Sequence, residues 1–176
     1  MRSAVVVAVP EAAAAVDGWR ERSCTDKPSS GVPAHITVLF PFVPAAELDG
    51  DVVSSLADVV AGMPAFAFDL RGAARFPGVL YLAPEPAEPF ALLTEAIVRR
   101  FPEHPPYEGA FLEVVPHLTV AQGEPAVLDA AERDVSAQLP IAARVDEVTL
   151  LEEVEGGGRW VVRARLPLSR STRTRR

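Results

Sequence analysis

Two short segments of this chain carry residue types that can do acid-base chemistry: His35-Ile36-Thr37-Val38 and His117-Leu118-Thr119-Val120. The chain has three histidines, and two of them fall in this one pattern. An unperturbed imidazole titrates near 6.5, so one ring can be neutral while the other is charged. The neutral ring takes a proton from water or a hydroxyl, and the charged ring gives one to a departing oxygen. Each such transfer contributes a factor of roughly 10²–10⁴ in rate. The threonine hydroxyls can donate hydrogen bonds to non-bridging phosphoryl oxygens, where charge must be held. Gathered in one cleft, these four side chains suit cleavage of a phosphate ester. The scheme calls for no metal and no cofactor.

One His-x-Thr alone carries little weight, because a lone strand histidine is usually structural. The repetition, with proline close before each copy (Pro33 and Pro116), is what makes the pattern informative. The third histidine, His104 in Glu103-His104-Pro105-Pro106, reads as an exposed loop residue.

The motifs need strands to position them. Side chains alternate along a strand, so His35 and Thr37 share one face while Ile36 and Val38 share the other. The same holds for His117 and Thr119 against Leu118 and Val120. Proline is tolerated where strands begin. Apolar periodicity predicts strands over 5–9, 36–40, 66–70, 79–82, 118–120, 145–151 and 160–166. It predicts helices over 10–22, 45–61, 90–101 and 126–139. The order strand, helix, loop, histidine strand therefore occurs twice. Phe66 follows His35 at nearly the spacing at which Val145 follows His117, and Tyr81 and Trp160 correspond in the same way. A duplicated unit of about 80 residues would give two lobes about an approximate twofold, with equivalent strands facing each other across a cleft.

Bulk properties narrow the classes. The 176 residues fit one bilobal domain, expected over 1–168, followed by a basic tail over 169–176 that reads as disordered. No apolar run is long enough to span a membrane, and the run Ala4 to Val9 is too short for a signal segment. The single Cys24 cannot form an internal disulfide and reads as an incidental loop thiol, so a reducing, cytoplasmic setting is the default. The net charge is −7 although the last seven residues carry four arginines and no acid. So acidic a body argues for a small nucleotide or a short RNA end as partner, against extensive duplex binding. A monomer with no membrane association is expected. There is no phosphate-loop, dinucleotide-binding or nucleophile-elbow motif, and no Cys/His cluster with zinc spacing. Gly156-Gly157-Gly158 joins two strand-like segments and reads as a hairpin turn.

At the two His-x-Thr elements the chain resembles the two-histidine (2H) phosphoesterase superfamily, which includes the bacterial 2′,5′-RNA ligase-like proteins and cyclic nucleotide phosphodiesterases. The resemblance runs from Val5 to about Leu166, and Phe40 with the proline after it fits the same family. It implies an α+β fold with antiparallel sheets around a central cleft and helices packed outside. It implies His35 and His117 as the acid-base pair and Thr37 and Thr119 as phosphate ligands. The implied reaction is opening of a 2′,3′-cyclic phosphate, or cleavage or joining of a 2′,5′-phosphodiester. Which histidine is acid and which is base stays open. Several relatives carry an arginine or an aromatic residue five positions after the second histidine, where this chain has Gln122. Glutamine can bond a phosphate but brings no charge. Arg75 is a candidate for the missing charge, and Tyr81 for stacking on a base, although core packing is the commoner role for Tyr81 and for Trp160. The alternative is a module of the same fold that binds a nucleotide or RNA end without turnover.

Overall fold

In a computed structural model the chain is described over residues 1–110, 113–154 and 157–170. Eight strands form two antiparallel four-stranded sheets. The strands are β1 (Ser3–Ala8), β2 (His35–Leu39), β3 (Phe66–Phe76), β4 (Val79–Glu85), β5 (Leu118–Gln122), β6 (Ile141–Val145), β7 (Glu147–Val154) and β8 (Arg159–Pro167). One sheet has the order β2-β1-β7-β8 and the other β5-β4-β3-β6. Four α-helices are present among the described residues: α1 (Ala13–Ser23), α2 (Gly50–Ala61), α3 (Glu88–Arg100) and α4 (Pro125–Ser136). Each buries one stripe, for example Phe90, Leu93 and Ile97 of α3 and Leu128, Ala131 and Val135 of α4. None of the described helices is long and apolar enough to cross a membrane.

The sequence expectation of two related halves holds, with a correction to the pairing. β1 and β4 are equivalent, as are the histidine strands β2 and β5, each at the edge of its sheet. β3 of the first half and β7 of the second each lie in the other half's sheet. The sequence pattern expected one strand over 145–151. The structure divides it, with β6 ending at Val145 and β7 starting at Glu147. Asp146 breaks the run: its carboxylate accepts from Arg144 and its carbonyl from the Leu168 N–H. Phe66 and Val145 are direct cross-strand partners, neighbours in one sheet and not symmetry mates. Tyr81 lies opposite Thr119 as Val6 lies opposite Thr37, so its counterpart is Val6, not Trp160. The helix expected from residue 45 begins at Gly50, because the Asp49 carboxylate caps it by accepting from the Val52 N–H at 2.9 Å. Of the Gly156-Gly157-Gly158 turn, Gly156 lies outside the described residues. Gly157 and Gly158 have φ of 78° and 77° between β7 and β8, as a tight turn requires. Of the tail, residues 171–176 lie outside the described residues.

The two histidine strands share one irregularity. The register slips between Val5 and Val6 on β1 and between Leu80 and Tyr81 on β4. In each case the extra residue, Val38 or Val120, sits on the histidine strand. A bulge bends a strand and resets the faces beyond it. Before the bulge, Ile36 and Leu118 are fully buried while the histidines and threonines are half-buried. Each such buried aliphatic side chain contributes about 1.5–3 kcal/mol, which fixes which face turns inward. Beyond the bulge, Leu39 and Ala121 are buried, and Phe40 and Gln122 turn to the cleft.

Candidate active site

Between the sheets lies a cleft of about 420 Å³. His35, Thr37, His117 and Thr119 all line it, with Phe40 and Gln122 beyond the bulges. The two histidines are held alike. His35 Nδ1 donates to the carbonyl of Pro33 at 2.8 Å, and His117 Nδ1 to the carbonyl of Val115 at 2.7 Å. A carbonyl can only accept, so each neutral ring carries its proton on Nδ1 and presents an Nε2 lone pair. Burial, above all, lowers the pKa of His35 to about 4, against the opposing bond to Pro33. The charges of Arg20 and His117 push it the same way. Among the described residues, no protein group holds the hydroxyl of Thr37 or Thr119, so both can turn to a ligand.

The His117 ring has an aromatic backing. Phe76 meets it edge-on at 5.1 Å and Tyr81 at 5.5 Å, while Phe76 and Tyr81 stack on each other at 4.3 Å. Tyr81 is therefore buried behind His117 and does not line the cleft, which corrects the stacking role considered for it. Arg75 is also placed elsewhere. Its guanidinium donates to Asp129 and Glu132 of α4, 2.7 and 2.5 Å away, and it is absent from the cleft wall. The residues at 129 and 132 lie one helical turn apart, so both carboxylates reach one arginine. Gln122 does line the cleft; its Oε1 accepts from Thr25 at 3.5 Å.

Several cleft residues were not singled out from the sequence. Arg2, just before β1, and Ala4 and Val6 on it alternate onto the cleft face, a signal that the strand period contains. Arg2 lies over the rings of Phe40 and Trp160, at 5.4 and 5.7 Å from their centres, and its fork bonds the Glu153 carboxylate. That bond holds the Glu153 pKa down at about 2. Trp160 is both buried, as expected, and part of the cleft wall. Gly31, with φ 88°, packs on the Trp160 carbonyl so closely that a β-carbon would collide with it.

Arg20 is 2 % exposed. It donates to Asp17 and to the carbonyls of Asp26 and Val32, tying down the loop that walls the cleft. Tyr107 enters from the loop before β5. Cys24, read as an incidental loop thiol, follows directly on α1. It is buried, and burial pushes its thiol pKa up, away from nucleophilic character. His104 is half-buried against Phe42, ring to ring at 6.1 Å, and not fully exposed. Among the described residues, no three His, Cys, Asp or Glu side chains gather as metal ligands.

The sequence pattern of the 2′-5′ RNA ligase superfamily matches residues 8–157, and the chain belongs to that family. No curated protein matches the sequence. Among solved structures, TT0787 of Thermus thermophilus is similar, with a TM-score of 0.66 at 24 % identity over 97 % of this chain and all of that one. E. coli LigT complexed with 3′-AMP gives 0.62 at 18 % identity over 95 % of this chain and 97 % of that one. A structure described as a phosphoesterase gives 0.59 at 18 % identity, covering 96 % and 98 %. At these identities the likeness concerns the fold.

Proposed function

We propose that the protein is a metal-independent phosphodiesterase that cleaves a cyclic 2′,3′-type or 2′,5′-linked phosphodiester. One observation carries the reading. Two imidazoles, each with Nδ1 held by the carbonyl two residues earlier, line a single cleft beside two free threonine hydroxyls. E. coli LigT has been crystallised with 3′-AMP and with phosphate, ligands of matching chemistry.

The electrostatics favour a division of labour. His35, held neutral by burial, accepts the proton of the attacking water or hydroxyl through Nε2. His117, in protonated form, returns a proton to the leaving oxygen. Thr37 and Thr119 donate to the non-bridging oxygens as charge builds there. Gln122 offers a further neutral contact to the substrate. None of these steps requires a metal. Incubation with a 2′,3′-cyclic nucleotide in excess chelator tests the reading. The expected result is a phosphomonoester product formed at an undiminished rate. Binding without product would make the protein a nucleotide-binding module, and loss of turnover in chelator would make it a metal enzyme.

A further inference from the structure

The cleft holds little net positive charge for a site that takes a phosphate. Among the described residues, Arg2 and Arg20 are the arginines in its wall, and both are already matched. Arg2 is paired with Glu153, and Arg20 with Asp17. The remaining Arg20 nitrogen bonds are spent on two carbonyls. Asp26 adds a further carboxylate to the lining. An anion is therefore met by hydroxyls, an amide and imidazoles, not by a field that would gather a polyanion.

Tyr107 is part of the cleft wall as well. The chain around Tyr107 forms a strap pinned just beyond β2, where the Tyr107 N–H donates to the Phe40 carbonyl at 2.6 Å. Tyr107 and Glu108 both adopt left-handed backbone, with φ of 49° and 55°. Such conformations persist in non-glycine residues only where the surroundings impose them. The strap divides two spaces. Tyr107 lines the cleft, whereas Pro105 and Glu108 line a second cavity of about 520 Å³ together with Glu103 and His104. Arg2 borders both. A polynucleotide leaving the cleft on this side would have to pass the strap and lay its next phosphate against Glu103 and Glu108.

Resting on the phosphodiesterase reading above, we propose that the site selects a mononucleotide-sized, singly charged cyclic phosphate and discriminates against RNA ends of several nucleotides. The test compares a 2′,3′-cyclic mononucleotide with a pentanucleotide ending in the same cyclic phosphate, over a range of salt concentrations. The expected result is a kcat/KM at least tenfold higher for the mononucleotide, with a log–log salt slope shallower than one. A site that neutralises several phosphates would show a slope near −0.7 per phosphate contacted. Parity, a preference for the pentanucleotide, or a slope steeper than one overturns the proposal. Should neither be cleaved, the phosphodiesterase reading fails on its own, and the same ratio read as affinities by calorimetry still decides the size and charge limit. The pair E103Q/E108Q should narrow the gap between the two substrates; an unchanged gap would remove these carboxylates as its cause.

Discussion

Acid should weaken this protein in a pH window that belongs to His35. The folded state holds the ring at a pKa of about 4, chiefly by burial, against an ordinary 6.5. As pH falls, the unfolded chain takes up this proton first, so the unfolded state gains. His35's contribution is therefore intact above about pH 6.5 and is lost progressively as the pH drops toward 4. Linkage over these two values gives a loss of about 2 kcal/mol between pH 7 and pH 5, an upper figure for a half-buried ring. For a chain of 176 residues, that lowers Tm by about 4–8 °C. Denaturant melts of wild type and His35→Asn at both pH values isolate the term, since asparagine does not titrate. The Glu153 carboxyl, lowered from 4.5 to about 2, shifts in the same direction but over a more acid range. Its contribution is present above about 4.5 and lost below, outside this window. Wild type should lose about 2 kcal/mol more than the variant. Parallel losses would refute the burial of a neutral His35, and with it the basis for its role as base.

Thr37→Val and Thr119→Val keep the side-chain volume and remove the donors. Each should lower kcat about 10²–10³-fold, as loss of one transition-state donor does, with Tm nearly unmoved; steady-state kinetics on a cyclic nucleotide reads this. Arg20→Met strands the buried carbonyl of Val32, while the carbonyl of the exposed Asp26 can turn to water. At about 1–3 kcal/mol for one buried unsatisfied group, thermal melts should show a loss of that size. Arg75→Ala should leave kcat/KM unchanged, because its guanidinium is engaged by Asp129 and Glu132 outside the cleft; a tenfold loss would return Arg75 to the site.

The motif pair was legible because strand alternation alone puts His35 with Thr37 and His117 with Thr119 on one face. The helices were legible from their apolar stripes. The bulges were not. No residue at Val38 or Val120 marks them, since an extra residue is defined by the partner strand, and with it the turn of Phe40 and Gln122 into the cleft. The crossing of β3 and β7 between sheets was hidden for the same reason. Spacing along the chain matched Phe66 with Val145, and only the register reveals them as neighbours. Arg75 misled because a cation's charge is visible in sequence while the carboxylates that occupy it, on α4, depend on packing.

If both imidazoles serve one phosphorus, a double-mutant cycle in kcat/KM will show it. With a 2′,3′-cyclic nucleotide, His35→Ala and His117→Ala should each cost roughly 10²–10⁴-fold. The double variant should be little worse than either, because concerted partners fail together. Near-normal turnover in either single variant would contradict the claim, as would losses that simply multiply in the double.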